Sequence, residues 1–324
     1  MDEPLGYIYD PDAIAAALDS GLFAASAGVS EISGAANASG LSYFNLTAFS
    51  ADFLRSNPEV AGGRRTIDLG ADGVILEPLG QQTGICNGCS HGEAAFQSWC
   101  HRYVTTGGPV PQRVSFAWAY LAGRDSMYVK RGDSGAIPSL TIRAYHDYGV
   151  LPVGLTEFKD LLPHGPNSEE SLCIRFRDNP KAFIDQYRMR AQPFKTRVYA
   201  PNGAWDVADC VQTGRAVTFG TTVQGREARP GTNGVSSLYS LGGGHETFCS
   251  GWAVVNGRLV FLKTESWYNA NHYPGSQYQN NRVVLQTDDG PKLLYPGQCA
   301  VWADEWLSNR VECWAVGSPT EGIA

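Results

Sequence analysis

The clearest pattern in the chain is the stretch SHGEAAFQSWCHRYV, where Ala94, Ala95, Phe96, Trp99 and Val104 recur at helical spacing. Residues so spaced share one face, so the pattern predicts a long helix buried along that stripe. RVSFAWAYLAGR and IPSLTIRAYHDYG predict two more helices, the second closed by Gly149 as a C-cap. GVILEPLGQQTG reads as a short strand and then a turn. Beyond about residue 195 the period shortens. RAVTFGTTV, SGWAVV, RLVFLKTE, RVVLQT and CAVWA read as strands, with Gly, Asn and Asp turns between them. Helices first and strands later predict an α+β protein: a helical lobe over about 64–195 and an antiparallel β lobe over about 196–324. A cleft between two such lobes is a natural place for a site.

The first 63 residues have a different texture. They are rich in Ala, Ser and Gly, and NPEVAGGRR at 57–65 reads as a linker. A short helix is expected over 11–26, with Asp10 or Asp12 as N-cap. The net charge of −7 is confined to this segment, which carries eight acidic residues and one basic one, Arg55. Residues 64–324 hold 24 of each sign. An uncleaved acidic arm with apolar anchors such as Tyr43, Phe44, Phe49 and Phe53 is expected to dock on a protein partner in a larger assembly.

Composition narrows the class. With 43% hydrophobic and 18% charged residues in 324, the chain folds and is not disordered. No basic cluster marks a nucleic-acid footprint, and no apolar run approaches the roughly 20 residues of a membrane span. The start, MDEPLGYIYDPD, lacks the basic region of a secretory signal. Eight cysteines are then expected as reduced thiols in a cytoplasmic or virion-associated protein. The sequon at Asn45–Thr47 is incidental on that reading.

Chemistry concentrates in GICNGCSHGEAAFQSWC. A lone Cys-x-x-Cys is a weak signal: structural zinc wants a second pair, and a redox couple wants a βαβ context. No metal and no cofactor are therefore expected. The remaining reading puts Cys89 at the N-terminus of the long helix, where the helix dipole favours a thiolate. Gly84 and Gly88 would let a substrate approach the backbone closely. A thiol nucleophile needs a base. His91, His101 and His146 fall on predicted helices, and His164 falls in a Pro-rich loop. His245 opens a strand whose hairpin neighbour ends at Glu265, a carboxylate able to orient the imidazole.

At these residues the chain resembles the papain-like cysteine peptidases. The family pattern of Gln, then Gly-x-Cys-x-x-Cys-Trp, stands here as QQTGICNGCS. His245 with Gly251 and Trp252 matches the downstream histidine block, and KTESWY matches the block after it. RGDSGAIPSLTIRAYHDYGVLP resembles the glycine loop and helix of the family's substrate cleft. The resemblance runs over roughly residues 64–275 and implies Cys89 as nucleophile, His245 as base, Glu265 as its orienting partner and Gln82 as oxyanion donor with the Cys89 N–H. Gln81 is the alternate donor. Gly132, Asp133, Ser134 and Gly135 would line the substrate cleft, and Trp267 would shield the His–Glu contact. The chain departs from the pattern at Ser90, where the family has tryptophan, at Glu265 for asparagine and at Tyr268 for glycine. The cysteine that pairs with Cys86 in the family is absent near Arg131–Gly135.

The implied function is a thiol peptidase acting on peptide or isopeptide bonds of a protein substrate. One rival is a structural virion or assembly protein that keeps the fold and has lost the chemistry, and phage particles would fit that setting. A cell-wall amidase or endopeptidase is the other rival, although such domains place His much nearer Cys.

Overall fold

The computed structural model describes residues 10–19, 39–78, 80, 81, 83–125, 135–162, 165–221, 225–227, 230–240, 244–264, 266 and 282–321. Along the chain run helix α1 (Pro11–Asp19), strand β1 (Tyr43–Asn45), helix α2 (Thr47–Ser56), and the hairpin of β2 (Thr66–Asp68) with β3 (Val74–Leu76). Five helices follow: α3 (Cys86–Thr106), α4 (Phe116–Ala122), α5 (Pro138–Asp147), α6 (Glu169–Phe176) and α7 (Pro180–Ala191). Then come β4 (Val198–Tyr199), α8 (Ala204–Gln212), β5 (Ala216–Thr221), β6 (Gly225–Glu227), β7 (Val235–Ser236) and β8 (Leu238–Ser240). The chain continues with β9 (His245–Val255), β10 (Arg258–Thr264), β11 (Val284–Thr287), β12 (Gly290–Leu293), β13 (Gln298–Trp302), α9 (Ala303–Ser308) and β14 (Arg310–Val316).

This is an α+β architecture with the expected order of helices before sheet. The main sheet runs β4-β14-β5-β9-β10-β13-β7, and β1 also pairs with β9. Its pairs are antiparallel except β13 with β7. Helix α3 packs on β9 and β5, so one apolar core joins the helical half to the sheet.

Helix α3 follows its predicted stripe through Ala94, Ala95, Phe96 and Trp99, all buried. Val104 departs from the prediction and is 49% exposed. The helix ends at Gly107, whose φ of +74° is open to glycine and whose N–H returns to the Tyr103 carbonyl. Gly88 and Gly92 sit one turn apart where α4 crosses. A Cβ on Gly88 would meet the Phe116 carbonyl and Tyr120. Gly88 thus serves helix packing, not the approach of a substrate.

The boundary expected at residue 63 is not where the packing divides. Strand β1 is hydrogen-bonded into the main sheet through β9, and Leu46, Phe53 and Leu54 belong to the main core. Residues 43–56 are therefore part of the body, while α1 rests against α5. The linker reading also fails at Arg64, which is 8% exposed with its guanidinium on Glu93. Apolar side chains explain the first correction, since burying each contributes about 1.5–3 kcal/mol. The Asn45 amide is likewise buried, donating to Gln298 Oε1 at 2.9 Å, so the sequon is closed in the folded chain. All eight cysteines are buried and none forms a disulfide. Among the described residues no helix is long and apolar enough to cross a membrane.

Candidate active site

Cys89 lies in the first turn of α3, at the end where no side chain caps the helix. The chain reaches that turn through Gln81, Thr83 and Ile85. Gln81 is tied down at three points. Its N–H donates to the Ser266 carbonyl at 3.1 Å, its Oε1 accepts from Ser266 Oγ at 2.5 Å, and its Nε2 donates to the Thr83 carbonyl at 3.0 Å. The approach to the helix is thereby fixed beside the chain that leaves β10. Cys89 N–H donates to the Ile85 carbonyl at 3.2 Å, so in this state that donor serves the helix instead of an oxyanion.

His245 opens β9 and is 3% exposed, with its carbonyl accepting from Thr221 Oγ1 at 3.1 Å. Its neighbour Glu246 clasps the first two turns of α3. The Glu246 N–H donates to Cys86 Sγ at 3.3 Å, and its carbonyl accepts from Ser90 Oγ at 3.0 Å. Its carboxylate Oε1 lies 3.0 Å from His91 Nδ1. Cys86 and Ser90 flank Cys89 in the helix, so the clasp brings the start of β9 to the turn that carries Cys89.

Of the other expected site residues, Gln82, Gly132, Asp133, Ser134, Glu265 and Trp267 lie outside the described residues. The β9–β10 register ends with Thr264 opposite Phe248, one position before Glu265. Gly135 is buried, and its carbonyl accepts from the Arg124 guanidinium.

The electrostatics around Cys89 differ from the thiolate expectation. Burial pushes the thiol well above its ordinary value, and the Glu170 carboxylate pushes it further. Cys86 and Glu169 act in the same sense, and Arg64 opposes them. The carboxylates come from the first turn of α6, where Ser168 caps the helix. Glu170 Oε1 accepts from Thr83 Oγ1 at 2.7 Å. Glu169 holds Arg113 Nη1 at 3.0 Å and Ser115 Oγ at 2.7 Å. Burial and the nearby Arg113 charge lower the Arg64 guanidinium to about 9. The helix terminus attracts negative charge, but a buried thiol among carboxylates keeps its proton.

A cavity of about 580 Å³, its open mouth included, has Cys89 on its wall together with Ser90, Glu93, Arg64 and Leu54. Sequence reading did not find Arg64, Glu93 or Glu170 as neighbours of Cys89. Arg64 and Glu170 come from separate segments that no spacing in the chain announces, whereas Glu93 lies one turn on from Cys89 in the same helix.

No protein-family model matches the chain. No curated protein matches it either. It is similar to solved structures of cysteine proteases. Xylellain from Xylella fastidiosa is 18% identical over 81% of this chain and 88% of its own, with a TM-score of 0.47. Bromelain from Ananas comosus is 10% identical over 86% and 99%, at 0.43. Procathepsin B from Trypanosoma congolense is 14% identical over 86% and 77%, at 0.41. These values describe a likeness of chain path and assign no residue.

Proposed function

We propose that this chain is a papain-like thiol peptidase that cleaves peptide or isopeptide bonds, with Cys89 as nucleophile and His245 as base. The observation that carries the reading is the Glu246 clasp, which holds the residue next to His245 on the helical turn of Cys89. Because burial keeps the thiol protonated, His245 acts as a general base at the moment of attack. The S–H proton passes to the imidazole as sulfur bonds to the carbonyl carbon, and the carbonyl electrons move to oxygen. The amide of Gln82 or Gln81 stabilises that oxyanion. Collapse breaks the C–N bond, and the imidazolium protonates the leaving amine. Water then hydrolyses the thioester by the same route. Glu265 holds the imidazole in its tautomer. The tethering of Gln81 to Ser266 supports this arrangement, since it ties the approach to Cys89 to the residue after Glu265.

The test is labelling by an irreversible papain-type thiol inhibitor, with the adduct located by mass spectrometry. The expected result is one adduct on Cys89, absent in Cys89→Ala and strongly slowed in His245→Ala. A second reading, a protein that keeps the fold without the chemistry, is favoured by the 1% exposure of Cys89. No adduct, or adducts scattered over several cysteines, would decide for it.

A further inference from the structure

The cavity beside Cys89 follows a single face of α3. Cys89, Ser90, Glu93, Phe96 and Gln97 line it, with Glu93 three or four residues from each of the others, as one helical face requires. At 1.5 Å per residue the run from Cys89 to Gln97 covers about 12 Å. The opposite wall is α2, through Thr47, Ser50 and Leu54. Two features make it roomy at the thiol end. Residue 90 is small, and its hydroxyl is turned away onto the Glu246 carbonyl.

Its chemistry selects the occupant. The charged lining groups, Arg64 and Glu93, pair with each other. A further charge entering the cavity would lose its hydration without gaining a free counter-ion. Gln97 is 6% exposed, and its Oε1 accepts from Thr47 Oγ1 at 3.4 Å. Its amide nitrogen has no hydrogen-bond partner among the described residues and so remains a donor for a ligand. Side chains on a helix lean toward its N-terminus, which brings the Gln97 amide back toward Glu93, one turn earlier. Glu93 is 20% exposed at its side chain and supplies an acceptor. Leu54, Leu76, Phe96 and Phe248 provide apolar surface on the same cavity wall.

We propose that this cavity is a subsite for an uncharged side chain with an apolar stem and an amide end, the glutamine of a peptide, and that residues 47–54 form its outer wall. Its placement next to the scissile bond rests on the peptidase reading; its occupancy does not. The tip carbonyl accepts from Gln97, and the tip N–H donates to Glu93. On this account the N-terminal segment determines specificity.

Saturation-transfer NMR with the N-acetyl, N-methylamide derivatives of glutamine, leucine, glutamate and lysine tests occupancy directly on the full chain. The glutamine derivative is expected to give a signal several-fold above those of glutamate and lysine, with leucine between. Gln97→Leu should raise leucine to or above glutamine. Filling the cavity by Ser90→Trp or, separately, by Leu54→Trp should remove the glutamine signal in whichever variant keeps a cooperative melt. Equal signals from all four derivatives, no signal from any, or a glutamine signal that survives filling would overturn the proposal. None of these readouts requires turnover, so an unreactive Cys89 would count against the peptidase reading alone. If both hold, peptides with glutamine beside the cleaved bond will show the highest kcat/KM.

Discussion

His91 Nδ1 and Glu246 Oε1 lie 3.0 Å apart with both side chains fully buried. The imidazole also faces the Asn87 carbonyl at 3.1 Å and Thr218 Oγ1 at 3.3 Å, whereas neither Glu246 carboxylate oxygen has an aligned hydrogen bond. The imidazole is therefore the main partner offsetting the burial of that carboxylate, and removing it strands Glu246. His91→Leu leaves that carboxylate buried without its partner and is expected to destabilise the fold by about 3–5 kcal/mol, read from urea denaturation. The double variant His91→Leu/Glu246→Leu should lose far less than the sum of the two single changes. Additive losses would mean that the two side chains are not coupled.

Removing residues 1–63 is expected to abolish cooperative unfolding. Leu46, Phe53 and Leu54 are each no more than 3% exposed, and β1 is bonded to β9. Three such side chains at about 1.5–3 kcal/mol each rival the 5–15 kcal/mol that holds a typical domain together. A truncated chain that melts sharply near the full-length temperature would show that these contacts are dispensable.

The Glu170 carboxylate raises the Cys89 thiol second only to burial itself. Glu170→Gln keeps an acceptor for Thr83 Oγ1 and removes the charge, so the thiol should ionise at lower pH. The pH profile of Cys89 alkylation by iodoacetamide, followed by mass spectrometry, should move in that direction. An unchanged or upward-shifted profile would exclude Glu170 as the cause.

The ring of His101 packs edge-on against Phe49 with centroids 4.5 Å apart. Burial, with a smaller push from Arg215, lowers it from 6.5 to about 4. The folded value lies below the unfolded one, so on acidification the unfolded chain gains the proton first. Stability from the neutral ring is complete above pH 6.5 and drains as pH falls toward about 4. His101→Phe should flatten the fall in melting temperature across that window. A slope identical to wild type would place the acid sensitivity elsewhere.

What the sequence disclosed follows from how local each signal is. Helix α3 was legible because Ala94, Ala95, Phe96 and Trp99 lie within two turns. Gly149 marked the end of α5 because its φ of +99° suits glycine. Helix α8 escaped notice, although Asp206 accepts from the N–H groups of Asn202 and Gly203 as an N-terminal signal would suggest. The position of Cys89 could be read from its glycines and the helix behind it. Its proton could not, because that depends on Glu170, Glu169 and Arg64, which tertiary folding alone assembles. Arg64 sits in a Gly-Gly-Arg-Arg run that looks like exposed linker, and only its partner Glu93 explains why it is buried. Strand β1 has three residues, too few for periodicity to register.

The pairing of β1 with β9 also governs the order in which the chain can fold. Phe44 finds its register partner in Trp252, so a chain leaving the ribosome waits for most of its length before its first strand can close. At a synthesis rate of about 5–20 residues per second the delay is on the order of 10–40 seconds. Throughout it β1 has no strand to pair with, although α2 can already pack on α3 and β3, and contacts of such long sequence separation are also slow to form. The nascent chain thus presents an unpaired strand edge ahead of its own sheet, a natural client for chaperones. Slowing elongation will lower its soluble yield more than it lowers that of proteins built from near neighbours.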